Sequence, residues 1–245
     1  AGVDTSQVVF SDDMITPLAS VLVNRLTGSR TIITRKMQTP PSLTYDQKLK
    51  LDDLAERLIA SEEPVTILID GHEAEISEYL IKKLPHAKVV MDGGSLRASN
   101  IKLAAWTDYF VVSEHFARDY MSYRSLSTEA DIKAALIELN KICRGEAFIT
   151  LGEKGCAFLK SGMLQIVPSW LCNAVDTTGA GDVFHGAFTY GVHYSWHIDN
   201  IILFASLTAA ISIEKKGVRE SMPDLAVVHH SLNSYERNLK QYFEE

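Results

Sequence analysis

Two aspartates enclose a run of small residues in the stretch DTTGAGD, residues 176–182, and VFHGAF follows at once. The second part has the apolar spacing of a helix, so the small residues fall where that helix begins. Glycine in a helix costs about 1 kcal/mol relative to alanine, so two of them here need a reason. The N–H groups at a helix start are unpaired and carry partial positive charge, which suits an anion.

Small residues at this point let a charged group approach the backbone closely, so Gly179, Ala180 and Gly181 would form an anion hole. Fixed donors of this kind stabilise the charge that spreads over a phosphoryl group during its transfer. Asp182 would lie at the mouth of the hole, where a carboxylate can accept the proton of an attacking hydroxyl. The simpler alternative is a tight loop that only caps a helix. The complete string DTTGAGDVFHGAF, in a chain that alternates strands and helices, favours phosphoryl transfer.

The elements that must position this motif alternate between short apolar strands and amphipathic helices. Strands are predicted at 65–70 (VTILID), KVVMDGG, TDYFVVSE and 147–152 (AFITLG), and helices at YDQKLKLDDLAERLIA, EISEYLIKKL and 129–143. The first of these strands is expected to be buried on both faces. This alternation predicts an α/β fold, with a central, mainly parallel sheet and helices on both faces. Ligands of such sheets bind beyond the carboxyl ends of the strands, where this chain has polar and glycine residues.

The two ends of the chain carry further elements. Near the start, residues 19–25 and 30–35 predict a hairpin around Thr27 and Gly28, and the two prolines of MQTPPS (37–42) interrupt regular structure. GCAFLK and MLQIVP predict an added hairpin. Helices are expected at 183–194, at 198–215 and from Asp224 onward.

Composition excludes several classes of protein. The 245 residues are 46% hydrophobic, which allows a sizeable core. The net charge, 24 − 31 = −7, is unsuitable for sequence-independent nucleic-acid binding. The three cysteines form no CxxC pair and are expected to be buried or half-buried free thiols. No apolar run reaches the ~18 residues of a membrane span and no signal peptide is visible, so we expect a cytoplasmic protein without membrane partners.

The motif resembles the second signature of the PfkB, or ribokinase-like, family of carbohydrate kinases, and the resemblance covers nearly all of the chain. AGVDTS and GSRTII resemble segments that reach and build the family's β lid, and ILIDGH and VVMDGGS resemble its core strand ends. ITLGEKG resembles its nucleotide loop, and KKGVRESMP its late loop beside the nucleotide and a monovalent cation. The resemblance implies one ribokinase-like domain over 1–245, with residues 4–35 in a small β lid.

The resemblance also implies an activity, the ATP-dependent phosphorylation of a hydroxyl on a sugar or sugar derivative. Asp182 would be the catalytic base, and Gly179, Ala180 and Gly181 the anion hole. ATP would contact Thr150, Gly152, Gly155, Gly181 and Glu114. A potassium-like ion would be surrounded by Asp176, Thr178, Ser212, Lys215, Gly217 and Ser221. Mg²⁺ would arrive with the ATP phosphates. A homodimer through the lid is expected, because exposed sheet edges tend to pair.

Two features depart from the family pattern. The family's early strand and its GG-containing first signature, which supply much of the sugar pocket, would precede Ala1. An Asn-x-x-Glu found near the family's fourth core strand is replaced here by Ser113 and Phe116, with Glu114 as the substitute carboxylate. Two other functions stay open: a non-catalytic protein of the same fold that senses a sugar or nucleotide, and a kinase for a nucleoside or vitamin precursor.

Three further side chains each have two interpretations. Asp92 either contacts phosphate or Mg²⁺-bound water, or caps the turn formed with Gly93 and Gly94. His185 either faces the sugar or packs inside the protein. Lys154 either touches a phosphate or is an exposed hairpin lysine.

Overall fold

The fold was obtained as a computed structural model, and it describes residues 3–8, 16–23, 30–35 and 42–232. The chain divides into two compact units, residues 1–62 and 63–245. No helix among the described residues has both the length and the apolar character that crossing a membrane requires.

The first unit contains the predicted hairpin and the predicted first helix. Strands β1 (Ala19–Val23) and β2 (Arg30–Thr34) pair antiparallel, with Ala19 opposite Thr34. Helix α1 (Tyr45–Ala60) begins with a capping box, in which the Thr44 side chain accepts a hydrogen bond from the Gln47 N–H at 3.3 Å. The predicted turn at Thr27 and Gly28, and residues 37–41 of the predicted breaker segment, lie outside the described residues.

The second unit is built on a six-stranded sheet whose order follows the chain, β3-β4-β5-β6-β7-β8. The strands are β3 (Thr66–Ile69), β4 (Lys88–Gly93), β5 (Tyr109–Ser113), β6 (Glu146–Thr150), β7 (Cys156–Lys160) and β8 (Met163–Val167). Strands β3 to β6 are parallel to one another, and β7 and β8 are added antiparallel. The predicted α/β fold with a mainly parallel sheet is therefore confirmed, as is the added hairpin.

Helices follow the parallel strands and then the motif. They are α2 (Ala74–Lys83), α3 (Ala98–Ala104), α4 (Glu114–Tyr120), α5 (Glu129–Asn140), α6 (Ala180–His193), α7 (Ile198–Ser212) and α8 (225–232). The two seven-residue helices α3 and α4 were not predicted. Helix α6 begins three residues earlier than predicted, so the small residues of the motif form its first turn.

Alternate residues of the strands serve two separate cores. Met91, Val112 and Ile149 pack in one cluster with residues of α2 to α5. Val90 and Val111, from the opposite face, pack in the second cluster with α6 and α7. Successive side chains of a strand point to opposite faces, so Asp92 lies on the α6 side of the sheet, as Val90 does.

The prediction that the first core strand is buried on both faces is wrong for the described residues. Within the described sheet β3 is an edge strand that pairs only with β4, and Leu68 is 42% exposed. An apolar run alone does not separate a central strand from an edge strand, because both place hydrophobic residues on the covered face.

Candidate active site

Helix α6 begins at a glycine that no other residue could replace without strain. Gly179, the N-cap, has a left-handed backbone with φ 76°. A Cβ on this residue would also lie 2.7 Å from Val218 Cγ1, which is too close for two carbon atoms. The turn that opens α6 therefore depends on glycine for its conformation and for its packing.

The first turn of α6 leaves donors without side-chain partners. No side chain in the described part of the chain caps the helix. Among the described residues, the N–H groups of Gly181 and Asp182 have no backbone acceptor outside the helix, and Ala180 donates to the Thr177 carbonyl at a long 3.4 Å. A Cβ on Gly181 would meet no described atom within 4 Å. Asp182 is exposed beside this open space. The turn thus offers unused donors and a carboxylate at one place.

Asp176 ties the motif to the segment that follows α7. Its Oδ1 accepts a hydrogen bond from the Thr178 N–H at 3.0 Å, and its Oδ2 accepts one from the Gly217 N–H at 3.3 Å. The Val175 N–H donates to the Ile213 carbonyl at 2.7 Å. Three of the predicted cation ligands, Asp176, Thr178 and Gly217, are therefore brought together by direct bonds.

The serines of the predicted cation site are buried near the same segment. Ser212 is 5% exposed and donates to the Ala209 carbonyl, and Ser221 is 5% exposed and donates to the Val218 carbonyl. Lys215, whose role was assigned to its carbonyl, has an exposed side chain. The atoms that we assign to the cation are carboxylate, hydroxyl and backbone carbonyl oxygens, the ligand type that hard cations prefer.

The carboxyl ends of β5 and β6 meet side by side, with Ser113 in register with Thr150. Ser113 is the N-cap of α4: its hydroxyl accepts from the Phe116 N–H at 3.0 Å and donates to the Gly94 carbonyl at 2.9 Å. Glu114 is the first residue of α4, whereas Phe116 is fully buried in the core. Ser113 thus serves as a helix cap, a role that Asn fills equally well, and Glu114 is the partly exposed carboxylate of this short segment.

The predicted nucleotide loop follows β6 as a tight turn. Gly152–Lys154 forms a 3₁₀ turn, and the Leu151 N–H donates to the Gly155 carbonyl at 2.7 Å. Gly155 has φ 102°, and a Cβ there would overlap the Val167 carbonyl of the neighbouring strand. Lys154 is exposed in this turn, which is compatible with both interpretations of that residue.

Asp92 and His185, far apart in the sequence, meet behind the first turn of α6. His185 packs inside the protein with 3% exposure, and its Nδ1 lies 3.2 Å from Asp92 Oδ2. Burial raises the pKa of the Asp92 carboxyl, and the nearby charges of Asp182 and Asp70 act in the same direction, whereas His185 and the Gly94 N–H oppose them. The two residues were singled out separately, but their pairing was not predicted.

A cavity of about 330 Å³ also borders Asp182, between α6, α7 and the segment that leads into α8. Its walls are mostly apolar, with Val183, Ala187 and Tyr190 from α6 and Phe204 from α7. Sequence reasoning missed this cavity, because its walls come from three separated parts of the chain. Asp182 therefore stands where an apolar wall meets the polar first turn.

Comparison with known proteins agrees with this arrangement. The family model for pfkB family carbohydrate kinases matches residues 1–225. The chain belongs to the pfkB family. Among curated members, it is 29% identical to the ribokinase of Lactococcus lactis over 189 residues, which cover 77% of this chain and 60% of that protein. The chain thus spans less than two thirds of the length of this relative.

Solved structures of pfkB-type kinases share the fold. Ribokinase from Giardia lamblia superposes with a TM-score of 0.73 at 21% identity, covering 90% of this chain and 72% of that one. Arabidopsis thaliana ribokinase, solved with ribose and ATP, superposes with a TM-score of 0.68 at 21% identity, covering 86% of this chain and 67% of that one. At this level of identity the likeness establishes the ribokinase-like fold.

Proposed function

We propose that the protein is an ATP-dependent kinase that transfers the γ-phosphate to a hydroxyl of a sugar or sugar derivative. The observation that carries the proposal is the first turn of α6. There a left-handed glycine, N–H groups without side-chain caps and the exposed carboxylate of Asp182 occur together. Membership in the pfkB family supports the same reaction.

In the proposed reaction Asp182 accepts the proton of the substrate hydroxyl. The oxygen then attacks the γ-phosphorus in line, forming the new P–O bond. The bond between the γ-phosphorus and the β–γ bridging oxygen breaks, and ADP leaves with its electron pair. The N–H groups of Gly179, Ala180 and Gly181 stabilise the negative charge on the transferring group.

The nucleotide would lie at the carboxyl ends of β5 and β6. Thr150, Gly152, Gly155 and Glu114 are the residues we assign to ATP, and Gly181 would meet its terminal phosphate. Mg²⁺, bound mainly through phosphate oxygens, supplies charge neutralisation when present. A potassium-like ion would be held by Asp176 and Thr178 on one side and by residues of 212–221 on the other, where the donors are oxygens.

Several finer assignments accompany the proposal. A pentose is the first substrate class to test, because the relatives include ribokinases and the Arabidopsis enzyme was solved with ribose. We also propose a β lid that includes residues 4–35, a homodimer through that lid and a cytoplasmic location.

The test is ADP release by the full-length protein over a panel of ketoses, aldoses, sugar acids, phosphosugars and nucleosides, with Mg²⁺ and with or without K⁺. Asp182→Asn, assayed in parallel, should lower kcat by roughly 10²–10⁴-fold, the usual contribution of a general base. ATP binding, measured by calorimetry, should change little, because the amide keeps the shape of the side chain.

Sugar-dependent ADP release that disappears in Asp182→Asn would support the kinase. A nucleoside as the best substrate would favour the nucleoside kinase. Tight ATP or sugar binding with no turnover on any compound would favour the sensing protein. Near-normal turnover by Asp182→Asn would show that another group is the base.

A further inference from the structure

Both ring nitrogens of His185 face oxygen atoms. Nε2 lies 3.1 Å from the Val111 carbonyl of β5. Nδ1 lies 2.7 Å from the Gly181 carbonyl, in the first turn of α6, and 3.2 Å from Asp92 Oδ2 at the end of β4. Val111 and Asp92 are direct partners in the register of the two strands. One buried ring therefore touches two adjacent strands and the turn that carries the catalytic motif.

These contacts require a proton at each nitrogen. A carbonyl oxygen only accepts, so Nε2 must donate to Val111. Nδ1 lies 2.7 Å from the Gly181 carbonyl, which also only accepts, so Nδ1 must carry a proton as well, and it can share that proton between Gly181 and the Asp92 carboxylate. Burial and the neighbouring charges of Asp182 and Asp70, which raise the pKa of Asp92, favour keeping a proton in the pair. Without that proton, a nitrogen lone pair of the buried His185 ring would face an oxygen lone pair, which is unfavourable away from water.

The loop that follows Asp92 leads from this pair to the start of α4. In that loop the Gly94 carbonyl accepts a hydrogen bond from the Ser113 hydroxyl at 2.9 Å. Ser113 in turn caps α4, at the strand end assigned to ATP. The first turn of α6 and the start of α4 are thus joined through Asp92 and His185.

We infer that His185, held by Asp92, is a positioning residue that fixes the anion hole and Asp182 on the carboxyl edge of the sheet for phosphoryl transfer. This inference rests on the proposed kinase function. The contact with the Gly181 carbonyl fixes the peptide next to Asp182, and the contacts with Val111 and Asp92 fix that peptide to the sheet. Small displacements matter here, because a misplacement of about 1 Å can cost roughly 10²-fold in rate.

The test compares kcat with KM in the full-length protein. His185→Ala and Asp92→Ala should each lower kcat by roughly 10–100-fold, while KM for ATP and for the substrate changes less than about threefold. Asp92→Asn should recover most of the activity, because its amide oxygen can accept from Nδ1–H as the carboxylate does, while Nε2–H still donates to Val111. The double variant His185→Ala/Asp92→Ala should be no slower than the slower single variant.

The matched control is His193→Ala, on the same helix but at its other end, where Nδ1 lies 3.4 Å from Thr66 Oγ1. This control should keep its kcat within about twofold. The inference would be overturned if the double variant lost kcat by the product of the two single losses. It would also be overturned if Asp92→Asn were as slow as Asp92→Ala.

A second measurement does not depend on kinase activity. Amide hydrogen exchange over residues 179–185 should become faster in His185→Ala and Asp92→Ala but not in Asp92→Asn or His193→Ala. Unchanged exchange in His185→Ala would overturn the positioning role even in an active enzyme. If the wild-type protein proves inactive on every substrate, the proposed function fails, and faster exchange still tests the pairing.

Discussion

Helices α5 and α6 begin with opposite hydrogen-bond arrangements. At the start of α5 the Thr128 hydroxyl accepts from the Asp131 N–H at 3.1 Å, and the Asp131 carboxylate accepts from the Thr128 N–H at 3.0 Å. At the start of α6 a glycine takes the N-cap position, and none of the side chains that the structure describes caps the helix. The first arrangement satisfies the helix donors within the protein, and the second leaves them for a ligand.

The contrast extends to the space around the two helix starts. Gly181 faces open space, and His185 and Asp92 hold the turn from behind. The protein stabilises the start of α6 from the sheet side and not with a cap on the donors themselves. We take this difference as the structural basis of the proposed activity, and the variants below test it.

Among the variants that compare the two helix starts, the largest expected effect comes from adding a methyl group to the open turn at Gly181. Gly181→Ala should lower kcat/KM for ATP by roughly 10–100-fold, because the new Cβ occupies space that we assign to the phosphoryl group. Its unfolding free energy should stay the same or rise by up to about 1 kcal/mol, since alanine is the better helix former. Steady-state kinetics and urea unfolding measure the two effects.

Gly186→Ala is the matched control for stability, because a Cβ there also meets no described atom within 4 Å and the residue lies on the same helix. Similar unfolding free energies in the two variants would show that Gly181 is not needed for folding. Full kcat/KM in Gly181→Ala would contradict the assignment of that space to ATP.

A smaller effect, on stability, is expected at the residue that sets the turn. Gly179→Ala should lower the unfolding free energy by about 1–2 kcal/mol, because its left-handed backbone strains any residue with a Cβ. The close approach of Val218 adds to this cost. Urea unfolding should show a lower unfolding free energy for Gly179→Ala than for Gly181→Ala. Equal stability of the two variants would show that the backbone of residue 179 is not constrained as described.

Removing the cap of helix α5 should change the stability of the protein and not its activity. Thr128→Ala should cost about 1 kcal/mol of unfolding free energy, the usual value of an N-cap, and leave kcat unchanged. Hydrogen bonds from Thr128 lower the pKa of Asp131 from its ordinary 3.8. The stabilisation by Asp131 is therefore present above that pH and is lost as pH falls through its lowered pKa. Unfolding curves at pH 7 and pH 3 should show a smaller difference between wild type and variant at pH 3.

The smallest expected effect concerns the thiols. Burial raises the pKa of Cys143 to about 11, and burial raises that of Cys156 further. Burial and the charge of Glu214 raise the pKa of the less buried Cys172. Iodoacetamide at pH 8 should therefore label Cys172 first and Cys156 only after unfolding. Cys172→Ser should keep its activity within about twofold, because the proposed base is a carboxylate; a cysteine-dependent reaction would contradict that role for Asp182.

The long elements and the motif could be predicted from the sequence, because both depend on local pattern. Buried strands and amphipathic helices have characteristic periods, and the glycines of the motif indicate a helix start that binds an anion. The short helices α3 and α4 could not be predicted this way, since seven residues are too few to show a helical period.

The pairing of Asp92 with His185 could not be predicted either. Each residue had a local interpretation, but their contact depends on which strand end lies under α6. The alternation of strand side chains places Asp92 on that face only once the layers are known. The close approach of the Val167 carbonyl to Gly155, in the predicted nucleotide loop, is likewise set by strand pairing.

The most direct test of the proposed phosphoryl site is an amide NMR titration of the full-length Asp182→Asn variant with MgATP and its sugar substrate, since we expect this variant to bind ATP without rapid turnover. We expect large shifts for the N–H signals of residues 179–182, at the open start of α6, and none for residues 129–131, at the capped start of α5. Unchanged signals at residues 179–182, with ATP bound elsewhere, would contradict the claim that this turn is the phosphoryl site.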